Sequence, residues 1–158
     1  MQKYRTEIKW AAIFIVMSLL WMVFERSMGW HDVKIEQHPY MTNLFAIPAI
    51  LVYVLALREK RDKDLGGRMS WKQGFLSGML ISVIVAVLSP LTQYITHAWI
   101  TPDYFENVIQ YAVEVQGETE EAARSYFSFS SYVVQSVIAA IIMGLITSSI
   151  VAAVLKRN

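Results

Sequence analysis

The chain has no cysteine. Disulfides, thiol nucleophiles and thiolate metal sites are therefore excluded. It also has long stretches without charge. No Asp, Glu, Lys or Arg lies between Lys9 and Glu25, between Lys72 and Asp103, or between Arg124 and Lys156. Phosphate loops, dinucleotide fingerprints, an HExxH pair and a Ser–His–Asp order are missing as well. The net charge of +1 carries no message, and nucleic-acid binding is not indicated.

What fills the chain is apolar. Hydrophobic residues make up 55% of 158, and mean hydropathy is +0.38. About 20 apolar residues in a row suffice to cross a bilayer as a helix. Four segments qualify, at about 9–28, 40–57, 71–97 and 129–155. The first follows a short basic start, as a signal peptide would. No small-x-small cleavage site follows it, so it reads as an uncleaved transmembrane helix stopped near Gly29. Pro48 predicts a kink in the second helix, and Pro90 one in the third. Trp and Tyr residues cluster near the ends of the runs, where amphipathic rings sit at a membrane interface.

The loops differ in charge. Eleven of the 14 basic residues fall in the N-terminal tail, in the loop 58–72 and at the C-terminus. Only three fall in the other two connections, while 6 of the 13 acids lie in the second of these. The positive-inside rule then puts both termini and the central loop in the cytoplasm. The long outer connection carries two helical patterns. One, at about 102–116, starts at Thr101-Pro102-Asp103. The other, at about 119–127, starts at Thr119-Glu120-Glu121. The expected fold is therefore all-α: a single transmembrane domain, an integral membrane four-helix bundle with short amphipathic helices in the second outer loop.

Hydrophobicity alone does not join helices in a bilayer, because lipid tails are as apolar as Leu. Close packing over small residues does. The third helix offers Gly74, Gly78, Ser82 and Ala86; the fourth offers Ser136, Ala140, Gly144, Ser148 and Ala152. The two faces are expected to meet as an antiparallel pair. The alternative is that one ladder faces a second copy.

Candidate chemistry is sparse. Ser89, Gln93 and His97 continue the small face of the third helix as a polar stripe, and Gln135 or Asn43 is a candidate partner on another helix. Such a stripe beside a proline lines solute or proton paths in transporters; the plainer reading is hydrogen bonding between helices. All three histidines fall on the outer side. His31, Asp32 and His38 together are candidate ligands for a divalent metal, but their spacing matches no tight motif, so no metal and no cofactor are expected. The acidic outer loop, with Glu114, Glu118, Glu120 and Glu121, reads as a solvated face.

Several segments together carry a resemblance. They are NLFAIPAILVYVLAL (43–57), MSWKQGFLSG (69–78), LSPLTQYITH (88–97), TPDYFENVI (101–109) and SYVVQS to MGLITSSIVA (131–152). This combination resembles a bacterial family of small membrane proteins, the domain of unknown function numbered 4199. The resemblance implies a four-helix protein of the inner membrane in a Gram-negative lineage. It brings no catalytic or binding residues. The leading expectation is a non-catalytic accessory, scaffold or homo-oligomeric membrane protein, embedded in the bilayer alone or within a larger complex. A small carrier or channel using the Ser89, Gln93 and His97 stripe is the alternative. An enzyme at the outer face, using His31, Asp32, His38 or His97, is a third.

Overall fold

A computed structural model describes residues 4–157. The described chain is helical, without strands. Its helices are α1 (Arg5–Ser27), α2 (His38–Met41), α3 (Ala46–Glu59), α4 (Trp71–Ile95), α5 (Tyr104–Glu114), α6 (Glu120–Tyr126) and α7 (Phe129–Leu155). Four continuous helical stretches are long and apolar enough to cross a membrane: Arg5–Ser27, Ile35–Asp64, Trp71–Ile100 and Phe129–Leu155.

The second stretch does not form as one regular helix. Its winding begins with a 3-10 turn at Ile35–Gln37, passes through α2 and a second 3-10 segment at Thr42–Phe45, and becomes regularly α-helical at Ala46. Pro48 explains the break. A regular helix through position 48 would drive the proline ring into the carbonyl four residues earlier. In the first turn of α3 that conflict does not arise. The expected mid-helix kink is thus a change of winding before the proline. Helix α4 instead runs through Pro90 to Ile95 and finishes in a π turn at Thr96–Ile100. That turn closes when Thr101 N–H donates to the Thr96 carbonyl at 2.8 Å. Thr101 therefore does not cap α5. The N-cap is Asp103, whose side chain makes no capping bond. Thr119 does cap α6, its hydroxyl accepting Ala122 N–H at 3.3 Å.

The chain divides into two compact units. The first holds residues 4–16, Ala46–Leu88 and 137–157; the second holds Met17–Phe45 and Ser89–Ser136.

In the first unit the core is Ala11, Tyr53, Ala56, Leu57, Met69, Ile81, Val151 and Ala152. Small residues let α4 and α7 approach. A Cβ built on Gly74 would lie 2.9 Å from the Ala152 side chain, and one on Gly78 would lie 2.7 Å from Ser148 Cβ. Gly144 meets Ser82 in the same way. Ser82 also takes part in a 2.7 Å bond with Tyr53 and donates to the Gly78 carbonyl at 3.0 Å. The face that the two ladders share is therefore consumed within the chain at Gly74, Gly78, Ser82, Gly144, Ser148 and Ala152. Farther along the ladders, Ala86 is buried, whereas Ala140 is half-exposed. Below this seam, Met69 and Arg157 exchange two backbone bonds of 2.9 Å.

Two carboxylates of this unit are met by cations. Glu7 is buried and accepts from Lys60 at 3.0 Å and from Ser77 at 2.8 Å. Glu59 takes bonds from Lys9, from Trp10 at 2.8 Å and from Lys63 at 3.1 Å.

Leucine at position 78 has no room without moving α7. Overpacking of this kind costs about 1–3 kcal/mol. Gly78→Leu is expected to lower the unfolding temperature in detergent measurably. Equal unfolding temperatures for Gly78→Leu and the parent would refute the close approach.

Candidate functional site

The second unit contains a group of buried polar side chains, and α1 begins it. Its last turn reads Phe24-Glu25-Arg26-Ser27, followed by Met28, Gly29 and Trp30. Gly29 has φ of +77°, the left-handed conformation that closes a helix. Its N–H donates to the Arg26 carbonyl at 3.0 Å, and Trp30 N–H donates to the Glu25 carbonyl at 3.2 Å. These two bonds are a Schellman motif. The apolar contact that accompanies it is Trp30 edge-on to Phe24, with centroids 5.6 Å apart. A Cβ at position 29 would press on Val33 at 2.9 Å, a second reason for glycine.

This turn sends the chain back on itself. His31 comes to the carboxylate of Glu25, with Nε2 2.9 Å from Oε2. Helix α2 then delivers His38, whose Nε2 lies 3.4 Å from the same oxygen. The other oxygen, Oε1, accepts Trp21 Nε1–H at 2.5 Å, one turn back on α1. The Glu25 side chain has no exposed surface, and that of His31 has 4%. A buried carboxylate needs this much satisfaction, because desolvating a charge costs several kcal/mol.

The far side of the group comes from α5 and α7. The Tyr104 hydroxyl is 3.3 Å from His38 Nδ1 and 2.9 Å from the Tyr132 hydroxyl. Asn107 donates to the His31 carbonyl at 3.0 Å. The rings of His31, His38 and Tyr104 all lie 5.2–5.3 Å from one another. His97 joins from the π turn, 5.7 Å from Tyr104 and stacked on Phe105 at 4.2 Å. The Arg26 guanidinium is bonded to the Ile100 carbonyl and ties the end of α1 to the same turn. Burial pushes the Tyr104 phenol well above its ordinary range, with Tyr132 and Glu25 adding to the effect. It stays a neutral hydroxyl at any physiological pH.

The residues singled out from sequence divide. His31, His38 and His97 meet around Tyr104. Asp32 does not belong to the metal-type group; it is exposed, and its Oδ1 accepts Val33 N–H at 2.5 Å. Glu25 stands in its place. In the polar stripe, Ser89 is buried and Gln93 bonds His97 at 3.0 Å. Gln135 is exposed and bonds Ser131 on its own helix at 2.8 Å, and Asn43 bonds the Pro39 carbonyl at 2.7 Å. The partners of Gln93, Gln135 and Asn43 are thus local rather than on another spanning helix. Ser136 likewise donates to the Val133 carbonyl. Outside the cluster, Arg124 pairs with Glu106 and Glu120 on exposed surface, where such pairs add little.

Fold and site together define a polytopic α-helical membrane protein with a buried carboxylate–imidazole–phenol cluster near the ends of its spans. The chain belongs to the family described as "Protein of unknown function (DUF4199)", whose model matches residues 9–157. No curated protein and no solved structure is significantly similar to it.

The raised Tyr104 pKa sets a pH dependence. The unfolded chain sheds this phenolic proton near pH 10.0, while the folded protein keeps it. Stability is therefore unaffected below about pH 10 and falls as pH rises above it. Thermal unfolding between pH 8 and 11 checks this. Tyr104→Phe should show a shallower alkaline decline, and an unchanged slope would contradict it.

Proposed function

We propose that the protein is a non-catalytic accessory component of a bacterial inner membrane, with both termini and the loop 58–72 in the cytoplasm. Its working part is the cluster around Glu25, which this orientation directs to the periplasmic side. The observation that carries the reading is the full burial of Glu25 beside two histidines, at the end of a span that otherwise holds no charge between Lys9 and Glu25. Burying an ionisable group inside the protein is expensive, and such a group in a membrane-spanning helix is by default a candidate functional residue. The charge distribution supports the orientation. The small-residue faces of α4 and α7 are used up inside the chain. Contact with a partner therefore falls to other surfaces.

Native mass spectrometry of the protein, taken from its own membranes in a mild detergent, tests the accessory role. A reproducible heavier complex is expected, lost or weakened in Glu25→Gln. A lone monomer in every preparation would overturn it. The orientation is read in the same strain by a reporter fused after Asn158, expected to be active only in the cytoplasm. Periplasmic activity would reverse the assignment.

A further inference from the structure

We propose that Glu25, His31 and His38 form a binding site for one divalent first-row transition-metal ion of the zinc class. The inference rests on the reading of this cluster as the working part and names its ligand. Each of the three residues offers one ligand atom, and these atoms all lie within 4.8 Å of one another. The distances from Glu25 Oε2 to the two Nε2 atoms, 2.9 and 3.4 Å, are close to the spacing of ligands around one ion, and the wider separations in the group, up to 4.8 Å, call for the rings to draw together on binding. Four ligands held tetrahedrally at about 2.0–2.1 Å from an ion stand roughly 3.3 Å apart.

The surroundings fit as well. Metal-ligating histidines donate their second ring N–H to an oxygen that fixes tautomer and orientation. His38 has this partner in the Tyr104 hydroxyl, itself held by Tyr132. Glu25 has its counterpart in Trp21, which fixes the oxygen not turned to the histidines. The backbone of His31 is held by Asn107. The His31 ring departs from this pattern, its Nδ1 being buried without a partner.

The donor types select the ion. Two imidazoles and one carboxylate suit zinc, iron(II) and related ions, whereas calcium and magnesium take oxygen ligands. The site has no thiolate, so soft copper(I) is not favoured. Three protein ligands leave one tetrahedral position for a water or another small ligand.

The test uses the full chain in mild detergent, stripped with a chelator and titrated with Co2+ and Zn2+. The expected result is uptake of one ion per chain, with the intense visible bands of a tetrahedral Co2+ site, displaced by Zn2+. Glu25→Gln and His31→Gln should abolish stoichiometric uptake. Tyr104→Phe, which removes only the hydroxyl behind His38, should weaken binding about 10–100-fold. Asp32→Asn should bind like the parent. Circular dichroism checks that each variant is folded, and the parent's Co2+ spectrum needs no variant at all. Absence of stoichiometric uptake by the parent, or uptake undiminished in folded Glu25→Gln, would overturn the metal site. The accessory reading stands or falls separately, on the native complex, which is assayed without added metal.

Discussion

A carboxylate with no access to solvent must be met by donors, and the second unit is arranged around meeting one. Glu25 receives Trp21, His31 and His38. Each donor needs a piece of local structure. Trp21 needs one more turn of α1. His31 needs a helix that stops hard after Ser27 and turns back, which the left-handed Gly29 provides. His38 needs the chain to re-enter helical winding within a few residues, and Pro39, near the start of α2, favours that. Tyr104 and Asn107 then fix the histidines from α5. Breaking a buried pair by removing one partner typically costs about 3–5 kcal/mol. That outweighs any single exposed ion pair in the loop.

The first unit solves a different problem. Its helices have apolar surfaces that lipid would accept equally well, so close packing must hold them. Gly74, Gly78 and Gly144 bring backbone within reach of Ala152, Ser148 and Ser82. Buried polar groups occur here too, and several are paired, although Glu7 Oε2 and Ser148 Oγ are not. Tyr53 meets Ser82, and Glu7 meets Lys60 and Ser77. The charged loop 58–72 therefore does more than mark a side of the membrane, because Lys60 reaches into the unit to neutralise Glu7.

Much of this could be read from the sequence. The four spans follow from uninterrupted apolar runs, and the small-residue ladders stand out at four-residue steps. Thr119 announces a helix start by its chemistry. The cluster was legible only in part. His31 and His38 stand out as a pair with Asp32 as the nearest acid in sequence, while Glu25 sits beside Arg26 at the end of an apolar run with no motif to mark it. The signal for Glu25 lies in the Gly29-Trp30 pair that follows it. A Schellman turn folds residue 31 back toward residue 25, whereas Asp32 is held by its own loop. No local rule places Tyr104 and His97 there, since α3 and α4 separate them in sequence from the 25–38 segment. A proline in an apolar run suggests a kink, and 3-10 winding before Pro48 relieves the same clash.

The account turns on energetic sharing between Glu25 and its histidines. A double-mutant cycle on the metal-free protein measures this directly, with Glu25→Gln, His31→Gln and the double variant unfolded in mild detergent. Strong coupling is predicted, on the order of 1–3 kcal/mol, so that the double variant loses much less than the two single losses combined. Losses that simply add would mean that the two side chains do not depend on each other, and the cluster would not be the organising feature of this unit.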